Sequence, residues 1–353
     1  MASKRRVGIL TGGGDCPGLN AAIRATAKTV IPMGYEVIGI RNGWQGLIDD
    51  ENEILDSVST SGIIDRGGTI LGTSRLSPLR VENGPQRVFD GFRKLGLEAL
   101  VVLGGEGTLS VTSRLFNSMG LPVIGIPKTI DNDVEETDYA IGFQTAVQIA
   151  TEALDRLRST AESHHRVMVL EVMGHHTGWI ATYAGMANGA DAILIPEIPL
   201  DNGRVEELCQ MLRDRDKKGK RFSIVVVAEG TELAGKPVLR HGFDITQGEN
   251  ICRIEGLGGI GIVIGEIIEK KTGLETRVSS LGYIQRGGTP VAGDRILATA
   301  LGVRAAELIQ EKKYGEMTAL QGSRITSVPL EKIVDGIKTV PLDVYKVAEI
   351  FFG

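Results

Sequence analysis

The chain has 353 residues, 42% of them apolar and 24% charged, and 39 basic against 44 acidic side chains leave a formal net charge of −5. That length buries a sizeable core and predicts two domains, and an acidic balance with no long basic block argues against nucleic acid as the main partner. Cys16, Cys209 and Cys252 stand far apart, the first residues lack a signal-peptide core, and no later run approaches ~18 apolar residues, so a cytoplasmic protein with no membrane span is expected.

In chain order, residues 7–10 predict a first strand, followed by the glycine-rich run 12–18 and a helix opening near Ala21. Strand, glycine loop and helix N-terminus make a phosphate cradle, because amides without a Cβ in the way approach the anion. The run is neither the dinucleotide G-x-G-x-x-G nor a P-loop, and Ile40 at the end of the strand 35–40 is followed by Arg41-Asn42, not an acid. This argues against a dinucleotide-dependent oxidoreductase. Residues 66–75 form a second glycine-rich loop ending in Arg75, which suits phosphate.

A helix near 86–95 precedes the buried strand 99–103, which leads into Gly104-Gly105-Glu106-Gly107-Thr108. A carboxylate among glycines at a strand's carboxyl end can hold Mg²⁺ against polyphosphate oxygens, or cap a helix. The apolar strand 121–126 is expected to stop at Pro127, placing Lys128, Thr129, Asp131 and Asp133 on a loop. One carboxylate there can accept a hydroxyl proton while cations and hydroxyls hold phosphate. A polar turn with helix-capping aspartates would use the same residues.

Beyond a helix at about 144–159, strands are predicted at 167–172, 192–195, 223–228 and 276–281, with helices at 205–215, within 256–271 and at 294–310. This alternation predicts an α/β chain with right-handed crossovers. The pairs His164-His165 and His175-His176 lack H-x-x-x-H spacing and point to different sides, which speaks against a metal site. Cys16 reads as packing within the first glycine loop.

Together the loops resemble the phosphofructokinase family, from residue 6 to about 322. The motifs, in order, are GGGDCPGLNAAIR, GGTILGTSR, GGEGTL, PKTIDND, AESHHRVMVLEVMG, VAEG and LGYIQRGG. The resemblance implies two Rossmann-like three-layer α/β domains with mostly parallel sheets and the active site in the cleft between them. The larger, ATP-binding domain is expected over 1–141 plus about 253–306, and the smaller, sugar-phosphate domain over about 142–252 plus 307–353. The implied reaction moves the γ-phosphate of ATP to the 1-hydroxyl of fructose 6-phosphate with Mg²⁺, as in glycolysis. Pyrophosphate as donor to the same sugar is the alternative.

By the same resemblance Asp131 is the general base, Thr129 bridges donor and acceptor phosphates, and Glu106 and Asp133 serve the metal. Lys128 and His175 join the catalytic group. Gly13, Arg75, Gly104, Gly105, Glu106, Gly107 and Thr108 match donor positions. Thr129, Ile130, Asp131, Arg166, Met173, Gly174, His175, Glu229, Arg277, Tyr283, Ile284, Gln285 and Arg286 match sugar-phosphate positions. Arg166 and Arg277 are expected to reach into a neighbouring subunit's site, which implies a homo-oligomer, a tetramer by resemblance. Arg24, Lys28, Lys218 and Lys220 match positions that bind a small-molecule effector in bacterial members.

Two positions bear on the donor. Pyrophosphate users in the family usually carry aspartate where Gly107 stands and lysine where Lys128 stands, so this chain has a mixed signature. An uncharged, side-chain-free Gly107 leaves the nucleotide's α-phosphate unopposed, and close-range repulsion in a partly dry site outweighs one extra cation. ATP is therefore expected. His175 departs from the family's frequent arginine and Tyr283 from its histidine, and both remain able to hydrogen-bond phosphate.

Overall fold

A computed structural model describes residues 4–233, 259–334 and 336–353. Cys252, the predicted domain boundary beside it, and the first three residues of the 256–271 stretch lie outside these. The chain divides into two compact units, Met1–Thr145 with Arg286–Lys338, and Ala146–Gln285 with Thr339–Gly353.

The first unit opens with β1 (Arg5–Thr11), α1 (Leu19–Val30), β2 (Tyr35–Ile40), α2 (Trp44–Asp49) and β3 (Asn52–Leu55). It continues with α3 (Gly84–Lys94), β4 (Leu97–Gly104), α4 (Glu106–Met119), β5 (Val123–Thr129) and the two-residue β6 (Ile141–Gly142). The 22-residue α5 (Phe143–His164) then leads into the second unit: β7 (Val167–Val172), α6 (Trp179–Asn188), β8 (Ala192–Leu194), α7 (Asn202–Lys217), β9 (Ser223–Ala228), α8 (Ile260–Thr272) and β10 (Thr276–Ser280). The chain returns to the first unit with α9 (Ala292–Gln310), β11 (Glu316–Gln321) and β12 (Arg324–Pro329), and closes with α10 (Leu342–Glu349) in the second.

In the first unit the sheet order is β12-β11-β5-β4-β1-β2-β3, with β6 pairing β5. Its middle is parallel and both edge pairs, β2–β3 and β11–β12, are antiparallel. The runs VGILT and ALVVLG are buried throughout, as strands covered on both faces require. β1 lies between β2 and β4, so the strand order reverses there, and the crevice for a ligand opens at the carboxyl ends of β1 and β4. The second unit has the all-parallel order β10-β7-β9-β8, with its reversal between β7 and β10.

Three expectations need correction. Residues 276–280 belong with the second unit, because they pair with β7 from Thr276↔Val167 to Ser280↔Glu171. Residues 307–338 belong with the first, because the unpredicted hairpin β11–β12 joins β5 through Glu316↔Ile124 and Met317↔Gly125. Sheet pairing, not sequence order, sets both boundaries. Thirdly, β5 does not stop at Pro127. Proline removes one donor but its φ suits an extended chain, and the strand runs on until Lys128 and Thr129 pair with β6. Among the described residues no helix is long and apolar enough to cross a membrane.

Candidate active site

The crevice of the first unit is built on three glycine-rich segments. The Gly12 amide donates to Leu103 O at 2.9 Å and the Gly13 amide to Ser74 O at 3.0 Å, so the 12–18 and 66–75 loops dock on one another. The carbonyls of this turn are held as well. Thr73 Oγ1 donates to Gly13 O at 2.7 Å, and Lys128 Nζ donates to Gly12 O at 2.9 Å and to Gly14 O. A trans peptide points its N–H opposite to its C=O. Capturing the Gly13 and Gly14 carbonyls therefore turns the next amides, those of Gly14 and Asp15, away from these donors, as an anion cradle needs. Gly13 has φ 79°, which only glycine adopts readily.

Lys128 is 2% exposed because β5 continues past the proline and carries it inside. Burial, with the Arg286 guanidinium beside it, draws its pKa below the ordinary lysine range. Its place is beneath the glycine turn: a Cβ added to Gly13 would lie 3.7 Å from Nζ. Arg286, expected among sugar-phosphate residues, falls in the first unit against the same loop, its guanidinium carbon 3.0 Å from where a Gly14 Cβ would be. Arg75 sits exposed at the end of the docked 66–75 loop.

Gly104 and Gly12 both pack on Thr108, where added Cβ atoms would stand 2.4 and 2.8 Å from its side chain. Gly105 precedes α4, whose first turn carries Glu106. At Gly107 the space is open, and an added Cβ would meet nothing within 4 Å.

At the end of β5, Thr129 Oγ1 accepts the Asp131 amide at 3.1 Å. Asn132, in the left-handed region at φ 53°, ties the loop down: Nδ2 donates to Asp138 O at 3.1 Å and Oδ1 accepts the Ala140 amide at 2.9 Å. This leaves Asp131 and Asp133 nearly buried, at 9% and 8% exposure, beside the buried Ile130. Burial and then Asp133 raise the Glu106 pKa, so these two carboxylates face a common region that a divalent cation would relieve. Among the described residues no group of three or more His, Cys, Asp or Glu could hold a metal by itself. The donor set fits an ion completed by phosphate oxygens and water.

Two residues missed in the sequence support these loops. Lys338 donates its amide to Asp133 O at 3.0 Å and its ammonium to Thr137 O and Asp138 O at 2.7 and 2.9 Å. Asp294, fully buried, accepts the amides of Gly142 and Thr145 at 2.9 and 2.7 Å and the Thr145 hydroxyl. Each lies at least 149 residues from its partners, so no local pattern marks it. Cys16 donates its thiol to Ile141 O at 3.2 Å, and burial pushes that thiol's pKa up, as packing predicts.

In the second unit the expected sugar-phosphate residues form two sets. At the carboxyl ends of the strands, Met173 is buried, Gly174 has φ 151° with no room for a Cβ, and the exposed His175 gives its amide to Glu229 Oε1 at 3.1 Å. The 3₁₀ turn Gly282–Arg286 after β10 buries Gln285 and exposes Tyr283 and Ile284. At the amino ends, Arg166 and Arg277 share Glu275, at 2.8 Å for Arg166, whose hydrogen bond holds that carboxyl below its usual range. The six residues of β7 separate Arg166 from Met173, seven steps of strand or roughly 23 Å, beyond an arginine's reach. One chain does not bring the two sets together.

Of the residues expected to bind an effector, Arg24 and Lys28 lie half-buried on α1 in the first unit, and Lys218 and Lys220 are exposed after α7 in the second. Among the described residues the paired histidines assemble no metal group.

The phosphofructokinase family model matches residues 6–309. The chain is 48% identical to ATP-dependent 6-phosphofructokinase 3 of Streptomyces coelicolor, over 98% of this chain and 99% of that one. It is 47% identical to the pyrophosphate–fructose 6-phosphate 1-phosphotransferase of the same organism, over 99% and 100%. The structure of phosphofructokinase from Saccharomyces cerevisiae superposes with a TM-score of 0.80 at 30% identity over 98% of this chain, which spans 46% of the yeast chain.

Proposed function

The chain belongs to the phosphofructokinase family, and on that premise we propose that it transfers the γ-phosphoryl group of ATP to the 1-hydroxyl of fructose 6-phosphate. Relatives at 48% and 47% identity carry names with different donors, so overall likeness does not choose between them. The open space at Gly107 carries the choice of ATP: a nucleotide's α-phosphate meets neither bulk nor charge there. Lys128, the feature that points to pyrophosphate, is engaged with Gly12 O and Gly14 O under the loop.

Asp131 takes the proton of the sugar's 1-hydroxyl as that oxygen bonds to the γ-phosphorus and the bond to ADP breaks. Its oxygen must come within hydrogen-bond reach of the hydroxyl, and the ties at Thr129 and Asn132 fix the loop that carries it. The amides of the 12–18 loop and the first turn of α4 hold the donor phosphates. Mg²⁺, held by Glu106 and Asp133, would neutralise charge developing on the transferred phosphate.

Met173, Gly174, His175, Glu229 and Tyr283 bind the sugar phosphate from the chain itself, and Arg166 and Arg277 serve a second copy. Their position at the opposite strand ends supports a homo-oligomer with shared sites, a tetramer by family resemblance, and the same resemblance suggests a small-molecule effector. A glycolytic step belongs in the cytoplasm.

The test is a coupled assay for fructose 1,6-bisphosphate with ATP and pyrophosphate as separate donors. ATP turnover far above pyrophosphate turnover is expected, and the reverse order overturns the donor assignment.

A further inference from the structure

Among its described residues the second unit buries one acid that phosphoryl transfer does not use. Glu171 is 4% exposed on β7, two residues before Met173. A carboxylate that deep is costly unless donors replace water, and here two segments supply them. The Gly259 amide lies 3.0 and 2.9 Å from its two oxygens, the Gly261 amide 2.7 Å from Oε2, and the Ser280 hydroxyl 3.1 Å from Oε1. The Glu171 carbonyl also accepts the Leu281 amide at 3.1 Å. A negative charge at the start of α8 is further favoured by the helix dipole. Packing is tight as well, since a Cβ on Gly261 would stand 3.0 Å from Glu171 Cβ.

These contacts fall at the point where the strand order reverses. Ser280 is opposite Glu171 in the β7–β10 ladder. Beyond it β10 passes into the turn bearing Tyr283 and Gln285, and β7 passes into Met173, Gly174 and His175. Both walls of the sugar-phosphate pocket therefore leave the sheet close to one carboxylate.

We propose that Glu171 is a positioning residue that sets the spacing of those two walls, so that its loss weakens sugar-phosphate binding without touching the donor side. The inference rests on the reading of this unit as the sugar-phosphate side. Glu171→Gln keeps the shape but removes the charge and puts an amide NH₂ where one oxygen accepted the Gly259 amide, which only donates. It is expected to raise the KM for fructose 6-phosphate about tenfold, the worth of one charged hydrogen bond, while kcat and the KM for ATP stay within about twofold. Ser280→Ala removes only the tie to β10. It is expected to raise the same KM about threefold, with a melting temperature only a few degrees lower.

A folded Glu171→Gln enzyme with an unchanged fructose 6-phosphate KM overturns the proposal, as do equal rises in both KM values or a fall in kcat alone. If that variant does not fold, the same outcomes in Ser280→Ala decide. Wild type is assayed alongside. Its failure to use fructose 6-phosphate would instead remove the functional reading on which the inference stands.

Discussion

At the residue scale the proposed chemistry concentrates on Asp131 and Gly107. Asp131 is nearly buried on a loop fixed from both sides, so replacing it removes a proton acceptor without freeing the loop. Asp131→Asn is expected to lower kcat by at least ~100-fold with little change in either KM, the usual weight of a general base. Steady-state kinetics of the purified variant checks this, and a near-normal kcat takes the role away. Gly107 tests the donor. A Cβ added there meets nothing within 4 Å and the backbone needs no left-handed φ, so Gly107→Asp has room to enter and adds an anion. ATP use is expected to fall by one to two orders of magnitude, as repulsion of a few kcal/mol implies. A gain of pyrophosphate use is less demanding to look for than to achieve, since loss needs one bad contact and gain needs a site arranged for a smaller donor. Unchanged ATP kinetics would place the nucleotide elsewhere.

At the scale of elements, the loop after β5 is held by a residue that arrives about 200 positions later. Lys338 reaches Thr137 O and Asp138 O, and burial brings its pKa down to about 8, against the pull of Asp138, Glu135 and Asp133. The unfolded chain, at an ordinary 10.5, binds a proton that the folded chain has released between these two values. Stability therefore rises with pH across that window, because the unfolded state holds more protons there. Below pH 8 the charge is carried in both states and the burial penalty is present in full. Denaturant titrations of wild type and Lys338→Met from about pH 7 to about pH 10 should show wild type gaining on the variant above the folded-state pKa. A constant difference would mean that Lys338 titrates normally.

At the scale of the whole molecule, Arg166 and Arg277 lie at the strand ends opposite to Met173, Gly174 and His175. If they complete a second copy's site, Arg166→Ala raises the KM for fructose 6-phosphate far more than that for ATP. Hybrids give a sharper test. In an oligomer mixed from Asp131→Asn and Arg166→Ala chains, one kind of site receives both lesions and another receives neither. Co-refolded chains should regain a measurable fraction of wild-type activity, although each variant alone is weak. No recovery in verified hybrids would place both residues in the site of one chain.

Motifs of adjacent residues declare their chemistry wherever the chain takes them. The glycine loop at 12–18, the acid at Glu106 and the Thr129-Ile130-Asp131-Asn132-Asp133 run were legible for that reason, as was the strand–helix alternation. A buried parallel strand and a glycine-rich turn each leave a local signature in apolar runs and missing side chains. What depended on pairing between distant segments was not legible. The continuation of β5 past Pro127 depends on β6, which buries Lys128 and turns it from a loop cation into a support for Gly12 and Gly14. The hairpin β11–β12 joins β5, β10 joins β7, and with them the domain boundaries move. Glu171, Asp294 and Lys338 look like ordinary charged residues in sequence, because a buried charge is recognised only by the donors or acceptors that surround it. The chain's order of residues determined the family it belongs to, and the tertiary structure alone decided which of its charges are buried to hold the loops in place.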